Sequence, residues 1–352
     1  MGPSLLELGD VRVAFGDGTH CAFTDMIEFA GSTFIAFRSS PKGHLVTVDA
    51  KIVVVRSDDG GDSFSEVYRF GLEGRDPRDP HLLVFRGQLW VYTGAWLCPD
   101  AEFYGFAGDG SIDINNMLGF AVHSPDGTSW SEPAQLEGTQ GHYCWRVAVQ
   151  GGAAFMSARR RRGFVPGDAE GPPEEIECVL LESSDGLRFR VAGFFAEEHA
   201  DETAFLFEPD GSVLGLVRGT PGAPDTRVVR AAWPYSEWSR SRTGVSVGGP
   251  LLFRWNGRTF AGGRRTEGEE TSTWLWELEG EATLTPVLEL PSAGDCSYPG
   301  FVQLTHDTGL VCWYSARGTS TTHDIQTAPH DIRVAKVTMD RAAVAPAERP
   351  RM

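Results

Sequence analysis

Three arginines lie at matching places along the chain, each at the end of an alternating, strand-like run. They are Arg38, Arg218 and Arg264, and each ends the second such run of its own stretch of sequence. A guanidinium group binds a carboxylate through two parallel hydrogen bonds, so three arginines at the same end of equivalent strands would clamp one carboxylate. The spacing therefore predicts a binding site for a small anionic molecule.

Further polar and aromatic residues stand at or close to the ends of the strand-like runs. These candidates are Asp25, His44, Asp49, Arg78, Asp79, Arg146, Glu202 and Tyr298. If the runs belong to sheets that surround one axis, residues at the same end of successive sheets point into a common funnel. Glu202 has a simpler alternative role, because it can pair with Arg218 across adjacent strands. The set predicts a basic and crowded funnel.

A recurrent turn supplies the frame that would hold these residues. Ser57 to Phe64 reads Ser-Asp-Asp-Gly-Gly-Asp-Ser-Phe, and shortened copies occur at Ser124 to Trp130 and at Ser184 to Phe189. Asp59 can accept hydrogen bonds from the backbone N–H groups of its own turn, and Gly61 can supply the positive φ that a tight hairpin needs. We call this segment the Ser-Asp turn. Three copies of one turn predict a repeated sheet.

The strand-like runs divide into six units, and in the first three units the Ser-Asp turn joins the third strand to the fourth. Helical periodicity is almost absent, and 42 Gly and 21 Pro indicate many turns. The pattern predicts an all-β protein, a six-bladed β-propeller of four-stranded antiparallel blades in a single domain spanning residues 1–352. A strand at 11–16 is expected to close the ring. The predicted blades are approximately 20–72, 78–136, 143–197, 201–243, 248–291 and 296–340.

The formal net charge of −17 argues against two classes of partner. Nucleic acids and anionic membrane surfaces would be repelled, so neither is expected to bind. A small anion remains compatible, because a few local arginines outweigh surface charge that lies beyond a Debye length of about 8 Å. Met1 to Asp10 has neither the basic segment nor the apolar segment of a signal peptide, which predicts a cytoplasmic protein.

Neither the cysteines nor the histidines predict a metal or another cofactor. The six cysteines include no CxxC pair, which favours free buried thiols. The stretch from 316 to 331 carries His323, Asp324, His330 and Asp331, but nothing in it sets a ligand spacing. We therefore expect no metal and no cofactor.

The Ser-Asp turn and the predicted funnel resemble a known family. Ser-x-Asp-x-Gly-x-Ser-Phe is similar to the Asp-box of the sialidase (neuraminidase) superfamily, and the order Arg, Asp, Glu, Arg, Arg, Tyr resembles that family's catalytic set. Segments that resemble a bacterial group of sialidase-like proteins of mostly undefined substrate are 22–25, 37–44, 78–80, 145–146, 202–203, 248–250, 262–264 and 295–300. The resemblance covers nearly the whole chain. It implies a propeller that hydrolyses glycosides of sialic acid or a related acidic sugar.

The resemblance also implies a role for each member of the ordered set. The substrate carboxylate would be held by Arg38, Arg218 and Arg264, the nucleophile would be Tyr298, its activating base Glu202 and the general acid/base Asp49. Asp25 and Asp79 are alternatives to Asp49. A phenol titrates near about 10 when unperturbed, so it needs a neighbouring carboxylate to take its proton. A neutral nucleophile also avoids placing a carboxylate beside an anionic sugar.

Two departures from the family pattern keep other functions open. Two serines follow Arg38 where the family has Ile-Pro, and the additional basic candidates exceed what a simple carboxylate clamp requires. One alternative is a uronide lyase in which Tyr298 or His44 abstracts a proton. The other is a propeller that binds carbohydrate or protein without catalysis, because one fold hosts many functions.

Overall fold

A computed structural model of the chain describes residues 5–100, 102–105, 113–164, 175–268, 270–317 and 328–340. Twenty-seven strands and the single-turn 3₁₀ helix Ile114–Asn116 make up the regular structure of these residues. The described part of the chain has no helix of the length and apolar character needed to cross a membrane. The expectation of an all-β protein is confirmed.

The strands follow one another closely along the chain. The first half contains β1 (Leu6–Leu8), β2 (Arg12–Phe15), β3 (His20–Phe29), β4 (Ser32–Ser40), β5 (Val46–Thr47), β6 (Lys51–Ser57), β7 (Ser65–Phe70), β8 (Arg75–Phe85), β9 (Gln88–Leu97), β10 (Tyr104–Gly105), β11 (Leu118–Ser124), β12 (Ala134–Gln135), β13 (His142–Gln150) and β14 (Ala153–Arg161). The second half contains β15 (Ile176–Ser183), β16 (Arg190–Ala196), β17 (Ala200–Phe207), β18 (Val213–Gly219), β19 (Arg227–Ala231), β20 (Ser239–Arg242), β21 (Gly248–Trp255), β22 (Arg258–Glu267), β23 (Glu270–Glu279), β24 (Thr283–Leu290), β25 (Cys296–Gln303), β26 (Thr308–Ala316) and β27 (His330–Met339).

Four separate four-stranded sheets and one nine-stranded sheet hold most of these strands. The four-stranded sheets have the orders β12-β11-β9-β8, β13-β14-β15-β16, β17-β18-β19-β20 and β21-β22-β23-β24. The nine-stranded sheet has the order β25-β26-β27-β3-β4-β6-β7, with β1 and β2 also paired to β27. Six separate sheets were predicted. Only four are separate, because the first and last predicted units are joined by one parallel pair, His20 with His330.

The Ser-Asp turn has the predicted geometry. Asp59 Oδ1 accepts hydrogen bonds from the backbone N–H groups of Asp62 and Ser63, both at 2.9 Å, and Gly61 has φ of +84°. Asp126 and Asp185 make equivalent bonds in the two shorter copies. All three turns join the third strand of a four-stranded run to the fourth, as predicted.

The glycines of the Ser-Asp turns lie against strands of the neighbouring units. A Cβ atom added at Gly61 would lie 2.5 Å from the side chain of Leu310 in β26, and one added at Gly186 would lie 2.9 Å from Tyr92 Oη in β9. A Cβ at Gly127 would overlap the ring of Phe34 in β4. Each turn therefore packs on the preceding unit, which fixes the order of the units around the ring.

Six strands line the centre, and we call them the ring strands: β3, β8, β13, β17, β21 and β25. Each packs against the next, and β25 packs against β3, so the ring is closed. All six carry a bulge at the same place, where two residues lie opposite one residue of the neighbouring strand. The bulge pairs are Phe23-Thr24, Asp79-Pro80, Trp145-Arg146, Asp201-Glu202, Gly249-Pro250 and Tyr298-Pro299. Because a bulge re-aims side chains, these pairs define the candidate site.

Candidate active site

Tyr298 and Glu202 form a buried hydrogen-bonded pair across the ring. Tyr298 belongs to the bulge of β25 and Glu202 to the bulge of β17, and the Tyr298 hydroxyl donates to Glu202 Oε1 at 2.6 Å. The other oxygen of Glu202 accepts from the backbone N–H of Gly249 at 2.8 Å and lies 2.7 Å from Arg218 Nη1. This is the geometry expected of a phenol and the carboxylate that takes its proton.

The electrostatics of the pair keep the proton on the phenol in the resting state. Burial, followed by the charges of Glu202 and Asp79, raises the pKa of Tyr298 well above its usual value. Burial alone would raise the pKa of Glu202, but the charge of Arg218 and the hydrogen bonds from Tyr298 and Arg218 outweigh it and lower that pKa. Glu202 is therefore ionised while Tyr298 is neutral.

Asp79 lies in the bulge of β8 and is a buried carboxyl with little to stabilise its charge. Burial and the charge of Glu202 raise the pKa of Asp79 well above its usual value of 3.8. The Tyr143 hydroxyl donates to Oδ2, and no described residue hydrogen-bonds to Oδ1. A carboxyl that stays protonated beside an ionised one is the arrangement of a general acid next to a base.

Gly249 leaves space for the Tyr298 ring. Its φ is +58°, and a Cβ atom there would lie 2.7 Å from Tyr298 Cδ2 and 2.7 Å from Ser297 Oγ. Tyr298 itself has φ of +53°, and Asp79 has φ of +51°, in the left-handed region that non-glycine residues rarely adopt. Backbone strain of this kind clusters at functional sites.

Aromatic rings enclose Tyr298 from three sides. The ring centroids of Phe23, Trp145 and Tyr314 lie 5.0, 5.3 and 5.7 Å from that of Tyr298. Phe23 and Trp145 come from bulges, so three of the six bulges supply an aromatic residue to one cluster. The cluster buries most of the Tyr298 ring, and the residue is 6% exposed.

Arg218 and Arg264 lie beside the pair and keep exposed surface. Their side chains are 30% and 22% exposed. A Cβ added at Gly248 would lie 3.5 Å from Arg264 Cβ and 3.8 Å from Arg218 Cζ, so the two arginines flank one glycine. Arg264 Nη1 lies 3.6 Å from Asp295 Oδ1, and no described residue accepts from its Nε. These two guanidinium groups are available to an anion.

Arg38 is not part of that group. Its side chain is fully buried and donates to both oxygens of Asp76, at 2.9 and 2.7 Å, and to the carbonyl oxygens of Gly43 and Leu45. The expectation that the three arginines occupy one register position is also wrong. Arg38 and Arg264 pair with the residue just before a bulge, whereas Arg218 lies opposite a bulge.

Asp25 and Arg146 form a second buried pair in the ring. Arg146 Nη1 donates to Asp25 Oδ1 at 2.6 Å, and the same guanidinium donates to the carbonyl oxygens of Pro250 and Pro299. Asp25 Oδ2 accepts from the Leu82 backbone N–H. The pair therefore ties the bulges of β21 and β25 to β3 and β8, and its polar atoms are used within the protein.

Arg78, His44 and Asp49 are the remaining predicted residues. Arg78 donates to the His44 carbonyl oxygen at 2.6 Å and to Asp76 at 3.3 Å, and is 5% exposed. His44 is partly exposed and its Nδ1 lies 2.8 Å from Asp295 Oδ2. Asp49 is exposed in the turn before β6, where its N–H donates to Thr47 Oγ1, and no described contact joins it to Tyr298.

Three site residues were not found from the sequence. Asp76 accepts a hydrogen bond from Arg38. Asp295 pairs with His44 and accepts from the Tyr314 hydroxyl at 2.8 Å. Arg159 donates to Asp201 at the bulge of β17. A signal existed for Asp76, because Arg-Asp-Pro occurs twice in succession at 75–80. Arg159 begins a run of four consecutive arginines, and nothing in the sequence distinguishes it from the other three.

Comparisons with known proteins agree on the fold. No protein-family model and no curated protein sequence matches the chain. A protein of unknown function from Dyadobacter fermentans is 18% identical, with a TM-score of 0.76 over 95% of this chain and 99% of that one. Trypanosoma rangeli sialidase bound to the inhibitor DANA is 11% identical, with a TM-score of 0.61, and phage phi92 endosialidase is 10% identical, with a TM-score of 0.65.

The matches to the two sialidases align most of this chain with part of each neighbour. The chain covers 55% of the Trypanosoma rangeli sialidase and 71% of the endosialidase, with 90% and 98% of its own length aligned. At these identities the likeness concerns the fold. The protein therefore has a sialidase-like propeller fold built from four-stranded sheets.

Proposed function

We propose that the protein is a retaining exo-glycoside hydrolase that acts on a sialic acid or a related acidic sugar. The observation that carries the proposal is the 2.6 Å hydrogen bond from Tyr298 to Glu202, beside two partly exposed arginines. In this interpretation the nine-stranded sheet contains two blades, which gives a six-bladed propeller, and the Ser-Asp turns are Asp-boxes. The catalytic residues all lie on bulges of the ring strands.

The proposed reaction uses three groups in two steps. In the first step Tyr298 Oη bonds to the anomeric carbon, Glu202 takes the phenol proton, and the bond to the leaving oxygen breaks as Asp79 protonates that oxygen. In the second step the Asp79 carboxylate takes a proton from water and the water oxygen bonds to the anomeric carbon as the bond from that carbon to Tyr298 Oη breaks. Glu202 then returns the proton to Tyr298. Each step inverts the configuration of the anomeric carbon, so the two steps together retain it.

Asp79 is a better general acid than Asp49 on physical grounds. Its buried carboxyl holds a proton, whereas Asp49 is exposed in a turn. It also lies near the nucleophile, because Tyr143 donates to its Oδ2 and the Trp145 ring, 5.9 Å from the ring of Tyr143, lies 5.3 Å from that of Tyr298. The role of Asp49 as general acid/base on a loop near the leaving group stays a prediction.

The substrate carboxylate would be bound by Arg218 and Arg264. Both side chains reach solvent, and Arg264 has a buried Nε without a described acceptor. Arg38 would act on the substrate only through its positive charge, because Asp76 and two carbonyl oxygens already accept its hydrogen bonds. Two guanidinium groups can hold one carboxylate bidentately.

The test is hydrolysis of aryl sialosides and aryl uronides by the wild type and by Tyr298→Phe. Loss of the hydroxyl removes the nucleophile, so turnover should fall by at least about 100-fold. Tyr68→Phe is the matched control, because the Tyr68 hydroxyl donates to the Ser131 carbonyl oxygen away from the ring. Equal rates for Tyr298→Phe and the wild type would refute the assignment. The absorbance band of an unsaturated uronide would identify elimination instead, and binding without turnover would identify a lectin-like protein.

A further inference from the structure

Three buried residues from distant parts of the sequence meet where the ring closes. His20 begins β3, His330 begins β27 and Asp295 lies directly before β25. His20 and His330 are partners in the parallel pair that joins the two ends of the chain, and their ring centroids are 4.3 Å apart. His20 Nε2 lies 3.4 Å from Asp295 Oδ2, and one ligand atom from each of the three residues lies within 4.8 Å of the others.

The hydrogen bonds of this cluster leave ring nitrogens without partners. His330 Nδ1 lies 2.7 Å from the Ala328 carbonyl oxygen, which can only accept, so the proton is on Nδ1 and the lone pair is on Nε2. No described residue hydrogen-bonds to His330 Nε2 or to His20 Nδ1. The two residues are 0% and 1% exposed. Buried polar atoms are nearly always paired, so an unpaired imidazole lone pair at this depth needs an explanation.

The orientation of His330 suits a metal ligand. Its Nδ1–H donates to the Ala328 carbonyl oxygen, and no described residue uses the lone pair on its Nε2. A carbonyl oxygen that orients the second nitrogen of a histidine is a common support for a metal ligand.

The two oxygens of Asp295 face different partners. Oδ1 accepts from the Tyr314 hydroxyl and lies 3.6 Å from Arg264 Nη1, so it belongs to the candidate active site. Oδ2 faces His20 and His44, and His44 Nδ1 lies 2.8 Å from it. A cation at Oδ2 would therefore bind the carboxylate through the oxygen that does not face Arg264.

We propose that His20, Asp295 and His330 bind a divalent transition-metal ion. Two imidazole nitrogens and one carboxylate oxygen are a ligand set that suits zinc, with a water molecule as the fourth ligand. Because His20 lies in β3 and His330 in β27, the ion would link the two neighbouring strands at which the first and last units of the nine-stranded sheet join. The site differs from the sequence expectation of no metal, and it stands independently of the proposed hydrolase activity.

The first experiment measures zinc binding to the full chain. Protein dialysed against EDTA and then against buffer is titrated with Zn²⁺ by calorimetry and followed by thermal unfolding. We expect one ion per chain and a melting temperature that rises with Zn²⁺ concentration, because an ion that binds only the folded state stabilises it. Binding of fewer than one equivalent, with an unchanged melting temperature, would overturn the proposal.

Variants locate the ion. His330→Gln keeps much of the side-chain volume and removes one ligand, so zinc affinity should fall by at least about 100-fold. His306→Gln is the matched control, because His306 is exposed and lies outside the cluster. Equal affinity in the wild type and His330→Gln would reject the site. If His330→Gln does not fold, the visible absorption of Co²⁺ bound to the wild type decides: intense tetrahedral bands support the site, and their absence rejects it.

Discussion

Replacing Gly249 by alanine should displace the nucleophile without removing any catalytic group. The new Cβ atom would lie 2.7 Å from Tyr298 Cδ2 and 2.9 Å from Tyr298 Cε2, about 0.7 Å inside the 3.4 Å at which ordinary contact begins. The Tyr298 ring is enclosed by Phe23 and Trp145, so it cannot move far without disturbing both. The phenol oxygen must then leave its position beside Glu202.

The expected loss is large because the reacting geometry is tight. A misplacement of about 1 Å costs about 100-fold in rate, so a shift of about 0.7 Å should lower kcat by about 30-fold to 100-fold. The φ of +58° adds about 1 to 2 kcal/mol of backbone strain in the folded state. The assay is hydrolysis of the aryl glycoside that the wild type turns over, with rates normalised to the folded fraction.

Gly248→Ala is the matched control. A Cβ there would meet Arg264 Cβ at 3.5 Å and Arg218 Cζ at 3.8 Å, which are ordinary contacts, and Gly248 has no positive φ. Its kcat should stay within about threefold of the wild type. A folded Gly249→Ala with wild-type kcat, or equal losses in the two variants, would refute the argument that the space at Gly249 positions Tyr298.

Three further predictions concern pH and stability. The kcat/KM should rise with pH through the pKa of Glu202, which lies below its usual 4.5, and fall through that of Asp79, which lies above its usual 3.8. A rising limb above pH 4.5 or a falling limb below pH 3.8 would contradict the roles assigned to them. Arg38→Ala leaves Asp76 buried and short of partners, so denaturant unfolding should show a loss of about 3 kcal/mol, and a loss below about 1 would be inconsistent with the buried pair. Asp59→Ala should lower Tm and leave the activity profile unchanged. The hydrogen bonds from Ser63 lower the pKa of Asp59, so its stabilising effect is present above about pH 3.8 and lost as the pH falls, which thermal unfolding in acid would detect.

The propeller class was predictable because the Ser-Asp turn contains its own hydrogen-bond acceptors and donors. Asp59 accepts hydrogen bonds from the backbone N–H and the hydroxyl of Ser63, only four residues away, so the local sequence determines the turn. Counting such turns and the alternating runs between them then gives the strand order. The pair of Tyr298 with Glu202 followed from the resemblance, and the structure brings the two side chains together.

The parts that were not predictable depend on register and on distant partners. The position of Arg218 opposite a bulge follows from a shift in strand pairing, which no local pattern reports. Arg38 looked equivalent to Arg264, but the structure surrounds it with Asp76 and two carbonyl oxygens. His20 and His330 are 310 positions apart and meet only because the ring closes.

The six bulges separate the chemistry of the protein from its architecture. The backbone hydrogen bonds that hold each sheet lie on either side of the bulge, so they do not depend on the side chains that the bulge presents. The sheet ladders therefore tolerate different residues at the bulges, whereas bulge residues such as Arg146 also tie one unit to another. A new substrate preference can arise by substitution at the bulge residues that hold no other unit, without redesign of the propeller.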